Sequence, residues 1–289
     1  MKDNENKSGK IAVIGGDLRQ IYAAEALENS GYQCAFCGLD TYRKGVELNE
    51  ATENAVALLF PVPVMKGEQL NTPFSDERLT PSALTSLPTV SKTLAVGGLF
   101  PQEIRELLSG KGYKVLDLCE NETFNYLNAI PTAEGAIALA MSHTGVTVNG
   151  SSCVITGYGR IGRCLGRRLK ALGADVTVFA RKERDRAEAL ADGMTALPYS
   201  SLHEAMRGAD AVFNTVPETV LFDKHLSALR PNIPIIELAS RPGGIDAVAA
   251  IRREARVISA QSLPGRVAPV TAGKIIADLL VGFLQEGQI

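Results

Sequence analysis

Gly157, Gly159 and Gly162 stand at the spacing G-x-G-x-x-G inside the stretch "ITGYGRIGRCLGRRLKALGADVTVFARKER" (Ile155 to Arg184). That spacing suits a pyrophosphate. One glycine makes a tight turn, one lets backbone approach the ligand, and one lets the following helix sit close to the strand. With Tyr158, Arg160 and Ile161 completing the loop, the helix start would offer N–H groups and partial positive charge to phosphate. The bland alternative is a glycine turn that only lets a helix pack closely. About 20 residues beyond such glycines an NAD site carries an Asp or Glu that grips the ribose 2′-hydroxyl. Here Ala180 is followed by Arg181 and Lys182, with Arg184 nearby. A carboxylate would repel a 2′-phosphate, whereas an arginine fork matches one, so NADP is the expected cofactor. Glu183 tempers this charge, and the same residues also read as a solvated helix start.

Other polar residues fall where chemistry is expected. Asn214-Thr215-Val216-Pro217 follows a predicted strand on the edge where dinucleotide sheets bind ligands, and the polar pair is expected beside the nicotinamide ribose. Ser240-Arg241-Pro242-Gly243-Gly244 follows the next strand on that edge. Gly15-Gly16-Asp17-Leu18-Arg19-Gln20 resembles a phosphate loop without its third glycine; Arg19 would hold a carboxylate there, or else pair with Asp17. His143 lies at the expected domain junction, where an imidazole could take a proton. A structural, hydrogen-bonded histidine is the alternative, and it is the reading for His203 and His225. Cys34-x-x-Cys37 lies within a strand, so it reads as core packing and not as a redox pair. No spacing of His, Cys and carboxylates suggests a metal.

The elements that must position these residues are strands alternating with helices, the pattern of an α/β protein. Strands are predicted at Ile11–Ile14, Tyr32–Cys37, Val56–Phe60, Thr93–Val96 and Tyr113–Leu118, with helices at Leu18–Asn29 and around Pro101–Ser109. They predict a smaller N-terminal domain, residues 1–145, with a parallel sheet of four or five strands. A long helical stretch, Cys119 to Gly145, is interrupted by Pro131, which would restart a helix as its first turn. Six further strands, at Cys153–Thr156, Asp175–Phe179, Thr195–Leu197, Ala211–Asn214, Ile233–Leu238 and Val257–Ala260, match a doubly wound Rossmann fold over residues 146–289. The last helix, from about Thr271 to Leu284, is expected to pack back on the first domain.

The 289 residues suffice for two domains, each with its own core. Hydrophobic content of 45% and charged content of 21% are ordinary for a globular protein, and a net charge of −2 gives no reason to expect nucleic acid or an anionic membrane as partner. Five scattered cysteines fit a reducing cytoplasm, "MKDNENKSGK" lacks the apolar core of a signal peptide, and no apolar run reaches the roughly 18 residues of a membrane span.

Four stretches, "AVIGGDLRQIYAAEAL", "LNAIPTAEGAIALAM", "VITGYGRIGRCLGRRLKALGADVTVFAR" and "LPGRVAPVTAGKII", carry a resemblance along nearly the whole chain. It resembles the A subunit of dipicolinate synthase from spore-forming bacteria. That resemblance implies NADP-linked oxidation of dihydrodipicolinate, or its hydrated precursor, to dipicolinate in the mother cell during sporulation. It also implies a second, flavoprotein-like B subunit of the synthase, and an oligomer is expected. The substrate's two carboxylates would need cations, for which Arg19, Arg241, Arg266 and Lys274 are candidates beside Ser240. His143 and Arg241 are the catalytic candidates. Two other readings compete. A 2-hydroxy-acid dehydrogenase would pair a catalytic histidine with a carboxylate near the fifth and sixth strands; Glu237 and Arg241 are present, but no histidine follows Arg241. A non-catalytic NADP-binding subunit would need its partner for any chemistry.

Overall fold

Buried aliphatic runs of four or five residues make the strands of two parallel sheets, and amphipathic helices return the chain between them. The computed structural model describes residues 9–286. The chain divides into two compact units, one running to residue 128 and resuming at 268, the other comprising 129–267.

In the first unit, β1 (Lys10–Ile14), β2 (Gln33–Cys37) and β3 (Ala55–Leu59) are joined by a short hairpin, β4 (Met65–Lys66) and β5 (Gln69–Leu70), to β6 (Leu94–Gly97) and β7 (Lys114–Asp117). The five long strands run parallel in the order β2-β1-β3-β6-β7. Helix α1 (Leu18–Asn29) starts in a capping box: Asp17 Oδ1 accepts the Arg19 N–H at 3.0 Å, and Gln20 Oε1 accepts the Asp17 N–H at 3.0 Å. Helices α2 (Leu48–Thr52) and α3 (Gln102–Gly110) follow.

Helix α4 (Glu122–His143) runs through Pro131 without the predicted break. A mid-helix proline costs about 3 kcal/mol. Here burial of Ala133, Ala136, Ile137 and Ala140 on one face offsets that cost. The change of unit, between Asn128 and Ala129, falls inside this helix and upstream of the expected junction near 145.

The second unit contains β8 (Ser152–Thr156), α5 (Arg160–Ala171), β9 (Asp175–Phe179), α6 (Glu183–Ala191), β10 (Thr195–Leu197), α7 (Leu202–Gly208), β11 (Ala211–Asn214), α8 (Asp223–Leu226), β12 (Ile235–Glu237), α9 (Ala247–Arg252), β13 (Val257–Ser259) and α10 (Leu263–Val267). Its six parallel strands are ordered β10-β9-β8-β11-β12-β13. This is the doubly wound order whose direction reverses at the first strand. Along β8, Cys153 and Ile155 enter the core beneath α4, α5 and α6, while Val154 enters the opposite core with Leu202, Met206 and Leu226.

The last helix, α11 (Pro269–Glu286), belongs to the first unit and lies on α1. A side chain at Gly273 would stand 2.6 Å from Arg19 O, so glycine is what allows the two helices to touch. Ile276, Ala277 and Leu280 join Ile11, Val13, Ala24 and Leu27 in one buried cluster. Among the described residues, no helix is long and apolar enough to cross a membrane.

Candidate dinucleotide site

The three glycines meet three different environments. Gly157 holds φ +91°, and a Cβ there would stand 2.5 Å from Thr215 Oγ1. Gly162 faces Gly157 O so closely that any side chain would force the turn from the helix. At Gly159 a Cβ would meet nothing within 4 Å, so this is the open face. Gly159 is also the N-cap of α5 and makes no side-chain capping bond, which leaves the helix's first N–H groups for a ligand. These residues fit a dinucleotide pyrophosphate, with the backbone of 157–162 as its cradle.

The loop is braced from below. Tyr158 is buried, donates to Asp192 Oδ2 at 2.5 Å, and lies under the Arg163 guanidinium, whose Nε donates to Tyr158 O at 3.0 Å. Burial first, then Asp192, pushes the Tyr158 hydroxyl pKa up. Tyr158 therefore anchors the loop with its side chain and has only backbone to offer a cofactor. Ile161 likewise packs on the core. Ala180, where an NAD site has its carboxylate, is buried. Arg181 and Lys182 follow it, with Lys182 at the N-cap of α6 and Arg186 Nη1 donating to the carbonyls of Ala180 and Arg181 at 2.9 and 2.8 Å.

Two residues missed in the sequence, Glu218 and Tyr199, complete this edge together with Glu237, noted there only for a 2-hydroxy-acid dehydrogenase. Glu218, one place beyond the loop read as far as Pro217, takes Arg181 Nη1 at 2.9 Å. Tyr199, after β10, sets its ring against Phe179, and burial pushes its hydroxyl up to about 12. Glu237 ends β12 and accepts from Asn214 Nδ2 at 2.7 Å, Ala239 N at 3.0 Å and Gly244 N at 3.1 Å. The available signal is position, four residues past the end of β11 for Glu218 and at the end of β12 for Glu237. Nothing local marks Tyr199.

The polar pair expected at the nicotinamide ribose does a different job. Asn214 is fully buried: Nδ2 also donates to Val216 O at 2.9 Å, and Oδ1 accepts Thr156 Oγ1 at 2.6 Å. Thr215 Oγ1 donates to Thr156 O at 2.8 Å. Both residues knit the strand ends together because a buried amide must find partners within the protein. The Val216 side chain borders the glycine turn, its Cγ2 standing 2.7 Å from where a Cβ at Gly157 would be. Beyond it, the loop from Ser240 to Gly244 is held by Glu237, and Ser240 and Arg241 are exposed. Arg266, on α10 after β13, is exposed at the same carboxyl edge.

His143 is placed elsewhere. It closes α4 just before the chain enters β8, and Arg256 binds its carbonyl and its Nδ1 at 2.8 Å each. Since Arg256 immediately precedes β13, His143 lies at the amino edge of the sheet, a strand length from the glycine loop. It joins the hydrogen-bonded scaffold, as do His203 (against Lys224 O, 2.8 Å) and His225 (accepting Phe222 N, 3.1 Å).

In the first unit the glycine turn after β1 is filled. Gly15 N donates to Cys37 O and Gly16 N to Asn71 O, both at 2.8 Å, so neither amide awaits a phosphate. Arg19 is buried, forks onto Asp17 at 2.9 and 2.8 Å, and donates to Val62 O. Its charge is already matched, against the substrate role expected of it. Lys274 is exposed on α11 beside Gly273, at the end of α1 that carries Arg19. A cavity of about 450 Å³ beside β2 is lined by Asp40, Glu47, Asp76 and Glu77, the wrong sign for a dicarboxylate. Cys34 and Cys37 lie in β2 with thiols raised by burial to about 12 and about 11, as core residues. Among the described residues no group of His, Cys, Asp and Glu could hold a metal.

A doubly wound sheet with an open glycine loop, joined to a second parallel α/β unit, is a dehydrogenase-type architecture with a site for a nicotinamide dinucleotide. Comparison supports that class: residues 130–251 match the model of the D-isomer specific 2-hydroxyacid dehydrogenase NAD binding domain, and residues 10–119 match that of the N-terminal domain of the dipicolinate synthase A subunit. The chain is 32% identical over 287 residues to the dipicolinate synthase A subunit of Bacillus subtilis (strain 168), covering 96% of this chain and 97% of that one. Solved structures of the same subunit from Bacillus halodurans (30% identity, TM-score 0.85, 96% and 97% of the two chains) and Bacillus subtilis (32%, 0.83, 96% of each) superpose along almost the whole length. The chain belongs to the family of dipicolinate synthase A subunits.

Proposed function

We propose that this protein is an NADP-linked oxidoreductase that converts a dihydrodipicolinate-type ring to dipicolinate, working with a second, flavoprotein-like subunit in the cytoplasm of a sporulating mother cell. The observation that carries the cofactor choice is the end of β9, where Ala180 replaces the ribose-binding carboxylate and Arg181 and Lys182 follow. When bound, the nicotinamide would supply the two-electron acceptor, and the oxidised ring gains aromaticity. The ring gives up a hydride to the nicotinamide and a proton besides, so the protein's own tasks are holding the ring, excluding water and neutralising two carboxylates. Arg241 and Arg266 stand at the edge that carries the glycine loop and supply two positive charges for two carboxylates. With His143 at the other edge, the proton would pass to water or to a group from the partner subunit.

The test is to incubate purified chain with NADP⁺ or NAD⁺ and freshly generated dihydrodipicolinate, following reduced cofactor and dipicolinate together after subtracting spontaneous oxidation. Equimolar NADPH and dipicolinate are expected, with NAD⁺ much the poorer acceptor. Cofactor binding without product, alone or with the partner, would refute the substrate assignment. Arg181→Ala should weaken NADPH far more than NADH; equal losses would mean that the basic residues are only a solvated face.

A further inference from the structure

Loops flanking the glycine loop on opposite sides are tied to each other. Arg181 follows β9 and Glu218 follows β11, the two strands that sandwich β8 in the sheet. The 2.9 Å bond from Arg181 Nη1 to Glu218 Oε2 therefore crosses above the end of β8, the strand that delivers Gly157. The turn lies beneath the pair and is reached from both loops: Gly157 N donates to Phe179 O at 2.8 Å, and a Cβ at Gly157 would stand 2.7 Å from Val216 Cγ2. Both partners of the pair are solvent-exposed, with side chains 69% and 65% accessible, so the bond is inexpensive to break.

Crossing bonds of this kind have a chemical consequence. A 2′-phosphate arriving at the end of β9 needs the guanidinium that Glu218 holds, and it brings negative charge toward that carboxylate. An unphosphorylated ribose asks nothing of Arg181 and meets no repulsion. We propose that Glu218 is a specificity-determining residue: an internal counter-charge that holds Arg181 across the crevice and limits how strongly the site prefers a 2′-phosphorylated dinucleotide. This rests on the NADP reading above. The pair acts as a competitor for the guanidinium, so its loss strengthens 2′-phosphate binding while the fold stays intact.

The experiment is fluorescence titration of the purified chain with NADPH and with NADH, for the wild type, Glu218→Gln, Arg181→Ala and the double variant. Glu218→Gln should tighten NADPH about three- to ten-fold and leave NADH within about two-fold, the range expected from freeing one exposed pair and removing a like charge. In the Arg181→Ala background the same change should gain less than about two-fold, because the guanidinium it releases is gone. NADPH affinity that is unchanged or weaker in Glu218→Gln, or a gain shared equally by NADH, would overturn the assignment. The two readings fail separately. A wild type that prefers NADPH through Arg181, with Glu218→Gln silent, sinks only the Glu218 role. No wild-type preference, with equal losses in Arg181→Ala, sinks the NADP reading and this inference with it.

Discussion

Arg241 stands exposed on the loop after β12 with no ion pair or hydrogen bond to the described residues, whereas Arg19 is buried and saturated. A guanidinium with nothing to release costs nothing to redirect, and under the proposed function this difference favours Arg241 over Arg19 as the partner of a substrate carboxylate. Arg241→Ala should cut turnover by about a hundred-fold while NADPH binding is spared, the scale of losing a charge-assisted pair to a substrate carboxylate. Near-normal kinetics would refute the assignment. Leu99 offers a test of stability. It holds φ +55° with 60% of its surface exposed, pinned because Asp117 accepts from Leu99 N at 3.0 Å and Phe100 N at 2.9 Å. Left-handed backbone costs a leucine about 1 kcal/mol and a glycine almost nothing. Leu99→Gly should therefore raise stability, by about 0.5 kcal/mol once glycine's freedom in the unfolded chain is discounted, as read from urea melts.

Elements are legible in the sequence wherever pattern and punctuation agree. Helix α1 is predicted to the residue, and each long strand to within two residues, because buried aliphatic runs end there at glycine or a polar turn. The turn at Gly157 and the close helix approach at Gly162 are legible too, since that spacing directly after a strand suits both. Pro131 misleads because local chemistry predicts a break, while burial of α4's alanine face decides otherwise. His143 misleads because a sequence position near a junction says nothing about which edge of a sheet it reaches. Arg181's partner is hidden because 37 residues separate it from Glu218. Gly273 belongs to this scale: Gly273→Val would press on Arg19 O and Tyr22, and should cost about 1–3 kcal/mol in a melt. So does α8, whose first turn depends on His225 Nδ1 accepting Phe222 N. Burial lowers the His225 pKa below its ordinary 6.5, so the unfolded chain binds the proton first as pH falls. Stability should be full above about 6.5 and decline below it, and His225→Asn, which keeps an acceptor, should flatten that decline in thermal melts between about pH 7.5 and 5.5.

At the scale of the whole molecule, each unit has its own sheet and its own core, and the nucleotide-binding features lie entirely within residues 129–267. A chain cut after Val267 should keep NADPH binding yet lose the first unit's cooperative unfolding, since Ile276, Ala277 and Leu280 are removed from its core. Two calorimetric transitions falling to one would be the signature. The return of α11 also sets an order of events at the ribosome. Residues that begin the chain must wait, unfinished, until its last helix has been made, while the middle already has every strand it needs. Nascent chains arrested just after Val267 has emerged should yield a protease-resistant fragment from the middle of the sequence and none from its start. That outcome would mean that residues 129–267 complete their fold before the unit they interrupt.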